Sequence, residues 1–190
     1  MREEREIRMQ LVEYGKKLVR SGLVQGTWGN LSVRLDQHSM IVTPSGLDYY
    51  RLTPSDMVKV DIQSLRHEGQ RKPTSEKGIH SGIYQLRPEL GAVIHTHSKF
   101  CSIFAAARSA VPVEKNEETE RIFGSRVELA AYALPGTEQL RENTLEAFGD
   151  NYGCIMAGHG MVCAGQNLEE AFSYCRRLEE YCRDYIEARL

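Results

Sequence analysis

The hydrophobic period of this chain switches repeatedly between helical and extended, and that alternation constrains the fold more than any other feature. Ile7, Leu11, Tyr14 and Leu18 recur at helical spacing, which predicts a helix from about Glu3 to Ser21 with Gly22 as its stop. Alternation follows: Leu31, Val33 and Leu35, then Met40, Ile41 and Val42, flank the turn-like Asp36-Gln37-His38-Ser39 and predict a hairpin. A second turn, Thr43-Pro44-Ser45-Gly46, leads to a third short strand over Met57 to Ile62. From Thr74 the period is helical again, with Glu76, Ile79, His80 and Ile83 on one face, until Arg87-Pro88 ends it. Gly91 to His97 reads as an apolar, β-branched strand and Ser98 to Arg108 as a helix. Thr137 to Phe148 is a further helix and Cys154 to Cys163 a buried strand. Leu168 to Ala188 is the longest helix, opened by Asn167 as N-cap with Glu170 three residues on. No repeat or linker interrupts residues 1–190, so they form one domain, a three-layer α/β arrangement with a largely antiparallel sheet.

Composition removes several function classes. With 190 residues the chain is long enough for a core that needs no disulfide or structural metal. Lys and Arg total 24 against 26 Asp and Glu, interspersed, so no basic stripe marks a nucleic-acid binder. The start, MREEREIRMQ, is too charged for a signal-peptide core, and no apolar run is long enough to span a bilayer. A soluble, cytoplasmic protein without membrane partners is expected. The five cysteines, without a C-x-x-C pair, read as reduced thiols acting as small hydrophobes.

The chemistry concentrates in histidines. His95 and His97 are two apart on a strand and project to one face, so both imidazoles can reach one metal ion; a structural histidine pair is the alternative. Gly158-His159-Gly160, read as part of a second strand, offers a third imidazole, and three protein ligands with one open position is the usual form of a catalytic zinc site. A bulge around a satisfied core histidine would explain the glycines alone. Glu76, facing inward at a helix start, is either a charge at the helix dipole or a fourth ligand or base beside the metal. His80, four residues on, reads as a core residue or a support for the site. Thr27-Trp28-Gly29-Asn30, Thr43-Pro44-Ser45-Gly46 and Thr74-Ser75 are ordinary turns singly, but together have the composition of a neutral phosphate cradle. Walker and Rossmann patterns are missing, so a small phosphorylated metabolite is expected rather than a nucleotide.

The ordered set Thr27 to Ser32, Thr43 to Gly46, Thr74 to Glu76, His95 to His97 and Gly158-His159-Gly160 resembles the class II aldolase/adducin family over roughly residues 5 to 186, nearest its zinc-dependent L-fuculose-1-phosphate aldolase branch. The resemblance implies an α/β/α fold around a mostly antiparallel sheet, assembled as a homotetramer with sites near subunit interfaces. It implies Zn²⁺, or another divalent ion, on His95, His97 and His159, with Glu76 as a ligand in the resting site and the acid/base when substrate displaces it. It gives the phosphate to Thr27, Asn30, Ser45, Gly46, Thr74 and Ser75. A non-enzymatic adducin-like scaffold lacks the metal histidines, which this chain keeps.

Two departures bear on the substrate. At the offset after Val111-Pro112 where fuculose-phosphate aldolases carry a Tyr, this chain has Asn116, within a run of carboxylates that reads as a solvated loop. Glu120 stands at the offset of the acid/base Asp of the related ribulose-5-phosphate 4-epimerases. The sequence ends at Leu190, short of the tail from which several members draw a further catalytic Tyr, and Tyr181 and Tyr185 on the last helix are poor replacements. The expected activity is retro-aldol cleavage of a small ketose 1-phosphate to dihydroxyacetone phosphate and an aldehyde. A 4-epimerase is the alternative, followed by a decarboxylase or dehydratase of a phosphorylated sugar.

Overall fold

A computed structural model describes residues 2–113 and 116–190, Arg2 through its backbone alone. The helix expected at the start is α1 (Arg2–Arg20). Strands β1 (Asn30–Arg34) and β2 (Ser39–Val42) form the expected hairpin, whose turn Asp36 ties down by accepting hydrogen bonds from the His38 and Ser39 amides. After β3 (Val58–Asp61) come α2 (Lys77–Leu86), β4 (Ala92–Thr96) and α3 (Lys99–Ala107). The strands β5 (Val111–Pro112), β6 (Arg126–Val127) and β7 (Leu129–Ala130) are too short to leave a period in the sequence.

Two expectations are corrected. The carboxylate run is not a loop but helix α4 (Glu117–Phe123), because Asn116 caps it through Oδ1, 3.0 Å from the Thr119 amide, and Thr119, Ile122 and Phe123 give it an inward face. Nor is Cys154 to Cys163 one strand. Gly158, at φ +64°, lets the chain reverse, so β8 (Gly153–Met156) and β9 (Gly160–Gly165) form a hairpin with His159 on its turn. Helix α5 (Glu138–Phe148) precedes this hairpin and α6 (Leu168–Glu187) follows it, the latter capped by Asn167 as expected.

Seven strands line up in the order β3-β2-β1-β4-β9-β8-β7, antiparallel except for the parallel β7–β8 pair. Alternation along each strand feeds two cores. Leu31, Ile94, Met161 and Cys163 meet α1, α3 and α6, whereas Val93, Val162, Ala164 and Met156 meet α2 and α5. This is the expected three-layer α/β/α domain. The fully buried Leu31 and Ile94 each contribute ~1.5–3 kcal/mol by leaving water. All five cysteines are buried and free, as small core residues should be. No helix of the described residues is long and apolar enough to cross a membrane.

The same alternation sets up the site. With Ile94 facing α6, His95 must face the α2 side, and Asn30 is its register partner on β1. A polar lane therefore runs along the sheet beneath α2.

Candidate metal centre and active site

His95 from β4, His97 just beyond it and His159 from the β8–β9 turn converge, with donor atoms within 4.8 Å of one another. Their ring centroids are 4.7 to 4.9 Å apart. His95 Nδ1 lies 2.8 Å from the Met161 carbonyl oxygen, which can only accept, so the proton is on Nδ1 and the Nε2 lone pair faces the cluster. That Nε2 is 2.8 Å from His97 Nε2. Glu76, the residue that precedes α2, closes the group: Oε2 is 3.2 Å from His95 Nε2 and Oε1 is 2.8 Å from His159 Nε2.

The donor set fits a divalent cation. Glu76 is only 6% exposed, and its buried Oε1 has no hydrogen-bond donor among the described residues, the His159 contact being close but lacking hydrogen-bond geometry. A buried carboxylate oxygen so placed among imidazole nitrogens calls for positive charge. Burial pushes the Glu76 carboxyl up, but His95, His159 and the Asn30 amide outweigh it and hold the group well below the carboxylate range. Burial, then His95 and His159, push His97 down to about 4, and burial lowers His95 as well. Both rings are therefore neutral near pH 7, the form that binds a metal.

Two glycines permit the convergence. A Cβ at Gly160 would lie 2.3 Å from the Thr96 carbonyl oxygen and 3.3 Å from ring carbons of both His95 and His97. At Gly29, φ is +119° and a Cβ would meet the His95 carbonyl oxygen at 2.7 Å. Neither position can carry a side chain without pushing β4 away.

The expected phosphate residues divide. The Thr43–Ser45 turn is laced to the segment before α2 by Ser45 N–H to the Lys72 carbonyl, 3.0 Å, and Thr74 N–H to the Thr43 carbonyl, 3.1 Å. This brings Ser45 and Gly46 beside Thr74, and Ser75, one residue on, is exposed like Ser45 and Gly46. Thr74 is buried and its hydroxyl accepts from the Glu76 amide at 3.3 Å. Asn30 is buried and donates to Glu76 Oε2 at 2.9 Å, so one of its amide hydrogens is already committed. Thr27 is exposed in the turn before Asn30. Glu120 is not gathered into the cluster: it is exposed on α4, whose end packs at Tyr152 and Gly153, the end of β8 away from His159.

Sequence reasoning passed over two neighbours of the site. Trp28 is 64% exposed, with its ring centroid 6.1 Å from that of His97. Ser32 and Tyr84 join His80 in a buried network behind Asn30. Only the helical i, i+4 spacing of His80 and Tyr84 hinted at the second.

Fold and site together define a single-domain α/β protein with a candidate three-histidine metal site at one end of its central sheet. Residues 9–186 match the family model described as Class II Aldolase and Adducin N-terminal domain. Over 190 residues the chain is 32% identical to a 5-deoxy-D-ribulose 1-phosphate aldolase of Bacillus thuringiensis serovar kurstaki, covering 100% of this chain and 87% of that one. It is likewise 32% identical to a methylthioribulose-1-phosphate dehydratase of Sodalis glossinidius, covering 88% and 92%. A solved L-fuculose 1-phosphate aldolase superposes with a TM-score of 0.91 at 35% identity, covering 97% of this chain and 86% of that one. The chain belongs to the class II aldolase and adducin family, whose aldolases are metal-dependent enzymes.

Proposed function

We propose that the protein is a zinc-dependent lyase that cleaves a small ketose 1-phosphate to dihydroxyacetone phosphate and an aldehyde. The observation that carries the reading is the buried Glu76 carboxylate, one oxygen without a donor among the described residues, set among His95, His97 and His159. Those four residues would hold the ion, which supplies a Lewis acid for the negative charge that develops as the C3–C4 bond breaks. In the resting site Glu76 would be a ligand. Once substrate displaces it, the C4 hydroxyl gives up one proton as the aldehyde forms and Glu76 gives one to C3 of the nascent dihydroxyacetone phosphate. The proton count is unchanged, and synthesis runs both transfers in reverse. Ser45, Gly46, Thr74 and Ser75, with Thr27 and the second Asn30 hydrogen, hold the phosphate. Relatives named for aldolases of 5-deoxyribulose 1-phosphate and fuculose 1-phosphate make these two sugars the first substrates to assay. Assembly as a cytoplasmic homotetramer belongs to the same reading. It would let Glu120, remote from His159 along its own chain's β8, serve a neighbouring subunit's site.

A dehydratase is the second reading, favoured by the relative of that name. The same charge-stabilising site would serve it, with loss of water in place of carbon–carbon cleavage.

Exchange of the C3 proton of dihydroxyacetone phosphate in D₂O, followed by NMR, tests the lyase without knowledge of the aldehyde. Exchange that a chelator stops and zinc restores is expected. No exchange in zinc-loaded protein would overturn the lyase reading and send the assay to dehydration of methylthioribulose 1-phosphate.

A further inference from the structure

A second buried polar assembly lies behind Glu76, and its hydrogen bonds have one direction. Glu76 Oε2 can only accept, so the Asn30 group 2.9 Å away is the amide nitrogen and Asn30 Oδ1 points the other way. That oxygen is 2.5 Å from His80 Nε2, which must therefore carry a proton. His80 is fully buried, and burial followed by the field of His95 lowers it to about 3, so the ring is neutral and Nδ1 is an acceptor. Ser32 Oγ, 2.7 Å from Nδ1, donates to it and takes in turn the Tyr84 hydroxyl hydrogen across 2.8 Å. Each donor points toward the carboxylate: Tyr84 to Ser32, Ser32 to His80, His80 to Asn30, Asn30 to Glu76. Reversing the His80 tautomer would set a lone pair against Asn30 Oδ1 and turn the amide over, placing its oxygen against Glu76.

We infer that His80 is a positioning residue for Glu76, acting through Asn30: its Nε2–H holds the amide donor on Oε2, which leaves Oε1 as the oxygen that exchanges a proton with substrate. The proton exchange rests on the lyase reading; the hold on Glu76 and on metal affinity does not. Buried partners of this kind, removed behind a metal ligand, cost about 10–100-fold in metal affinity or activity.

The test has two arms on the full chain. In protein labelled with ¹⁵N at histidine, the signal lost in His80→Gln identifies the ring, and a neutral ring protonated at Nε2 is expected; a proton on Nδ1 overturns the inference. In the second arm, His80→Phe, folded by circular dichroism, should bind zinc about 10–100-fold more weakly and lose a similar factor in kcat for C3 exchange. KM should be little changed, and His80→Gln, whose amide can donate from the Nε2 position, should recover most of both. Native zinc affinity in folded His80→Phe, or equal loss in the Gln variant, would mean that the ring serves packing only, and would overturn the role. Should the Phe variant not fold, Ser32→Ala removes the donor to Nδ1, together with the acceptor of the Tyr84 hydroxyl, while the imidazole stays in place; lower zinc affinity supports the chain and native affinity refutes it. If native protein exchanges no C3 proton, the lyase reading fails alone, since tautomer and zinc affinity still decide the positioning.

Discussion

The Met161 carbonyl oxygen is 2.8 Å from His95 Nδ1, and Met161 pairs with Thr96 across the β4–β9 ladder, so the hairpin that carries His159 also sets the tautomer of His95. One piece of secondary structure thus supplies one candidate ligand and orients another. His95→Ala is expected to fold, to retain no stoichiometric zinc after dialysis, and to turn over at background rate. Zinc analysis beside the exchange assay checks this, and full activity in the variant would remove the metal assignment.

Gly160→Ala should report the closeness of β9 to β4. Its Cβ would sit 2.3 Å from the Thr96 carbonyl oxygen, where backbone must move rather than a flexible side chain. Overpacking of this sort costs about 1–3 kcal/mol. Denaturant unfolding should show that loss, together with weaker zinc binding, because the displaced strand carries both His95 and the route to His97.

Most of the fold was legible because long elements carry long periods. α1, α2, α3, α5 and α6 each repeat an apolar face over two turns or more. The β8–β9 hairpin was not, since β8 and β9 are buried on both faces and read as one continuous apolar run; only Gly158 gave the turn away. Helix α4 was hidden by its charge, its inward face being three residues. His95, His97 and Glu76 were legible from spacing, whereas the network of Ser32, His80 and Tyr84 depends on the pairing of β1 with β4 under α2, which no local pattern encodes.

Glu76→Gln separates proton transfer from metal retention. The three imidazoles remain, so zinc should stay bound, more weakly, while C3 exchange falls by about 10²–10⁴-fold, the usual range for a positioned acid or base. Parallel loss of zinc and exchange to the levels of His95→Ala would leave Glu76 as a ligand without a separate proton-transfer role.

Acid should destabilise the metal-free protein through its buried histidines. His80 has a folded-state pKa of about 3 against an ordinary 6.5, so between these values the unfolded chain binds a proton that the folded chain does not. Its contribution is full above pH 6.5 and is lost as pH falls, by ~1.4 kcal/mol per pH unit from this ring. His95 and His97 are lowered too and act with the same sign. Glu76, held low, adds its loss only once pH falls through the ordinary carboxyl value of 4.5. Urea midpoints measured in chelator from about pH 7 to 5 should therefore fall steadily, and His80→Gln should flatten the slope by about one proton's worth. Equal slopes would show that His80 takes up its proton over the same pH range in the folded and the unfolded chain, so that burial does not lower it.

Trp28 offers a readout of the metal that needs no substrate. It is the sole tryptophan of the sequence, so all indole emission comes from a ring centred 6.1 Å from that of His97. A paramagnetic divalent ion held by His97 would lie within quenching distance of that indole. Adding Co²⁺ to chelator-treated protein should lower the emission, saturate at about one ion per chain as a three-histidine site requires, and reverse with excess chelator. In His97→Ala the ion should no longer bind stoichiometrically, and the titration should lose its saturable phase. Quenching that persists unchanged in that variant would place the ion elsewhere than at His95, His97 and His159.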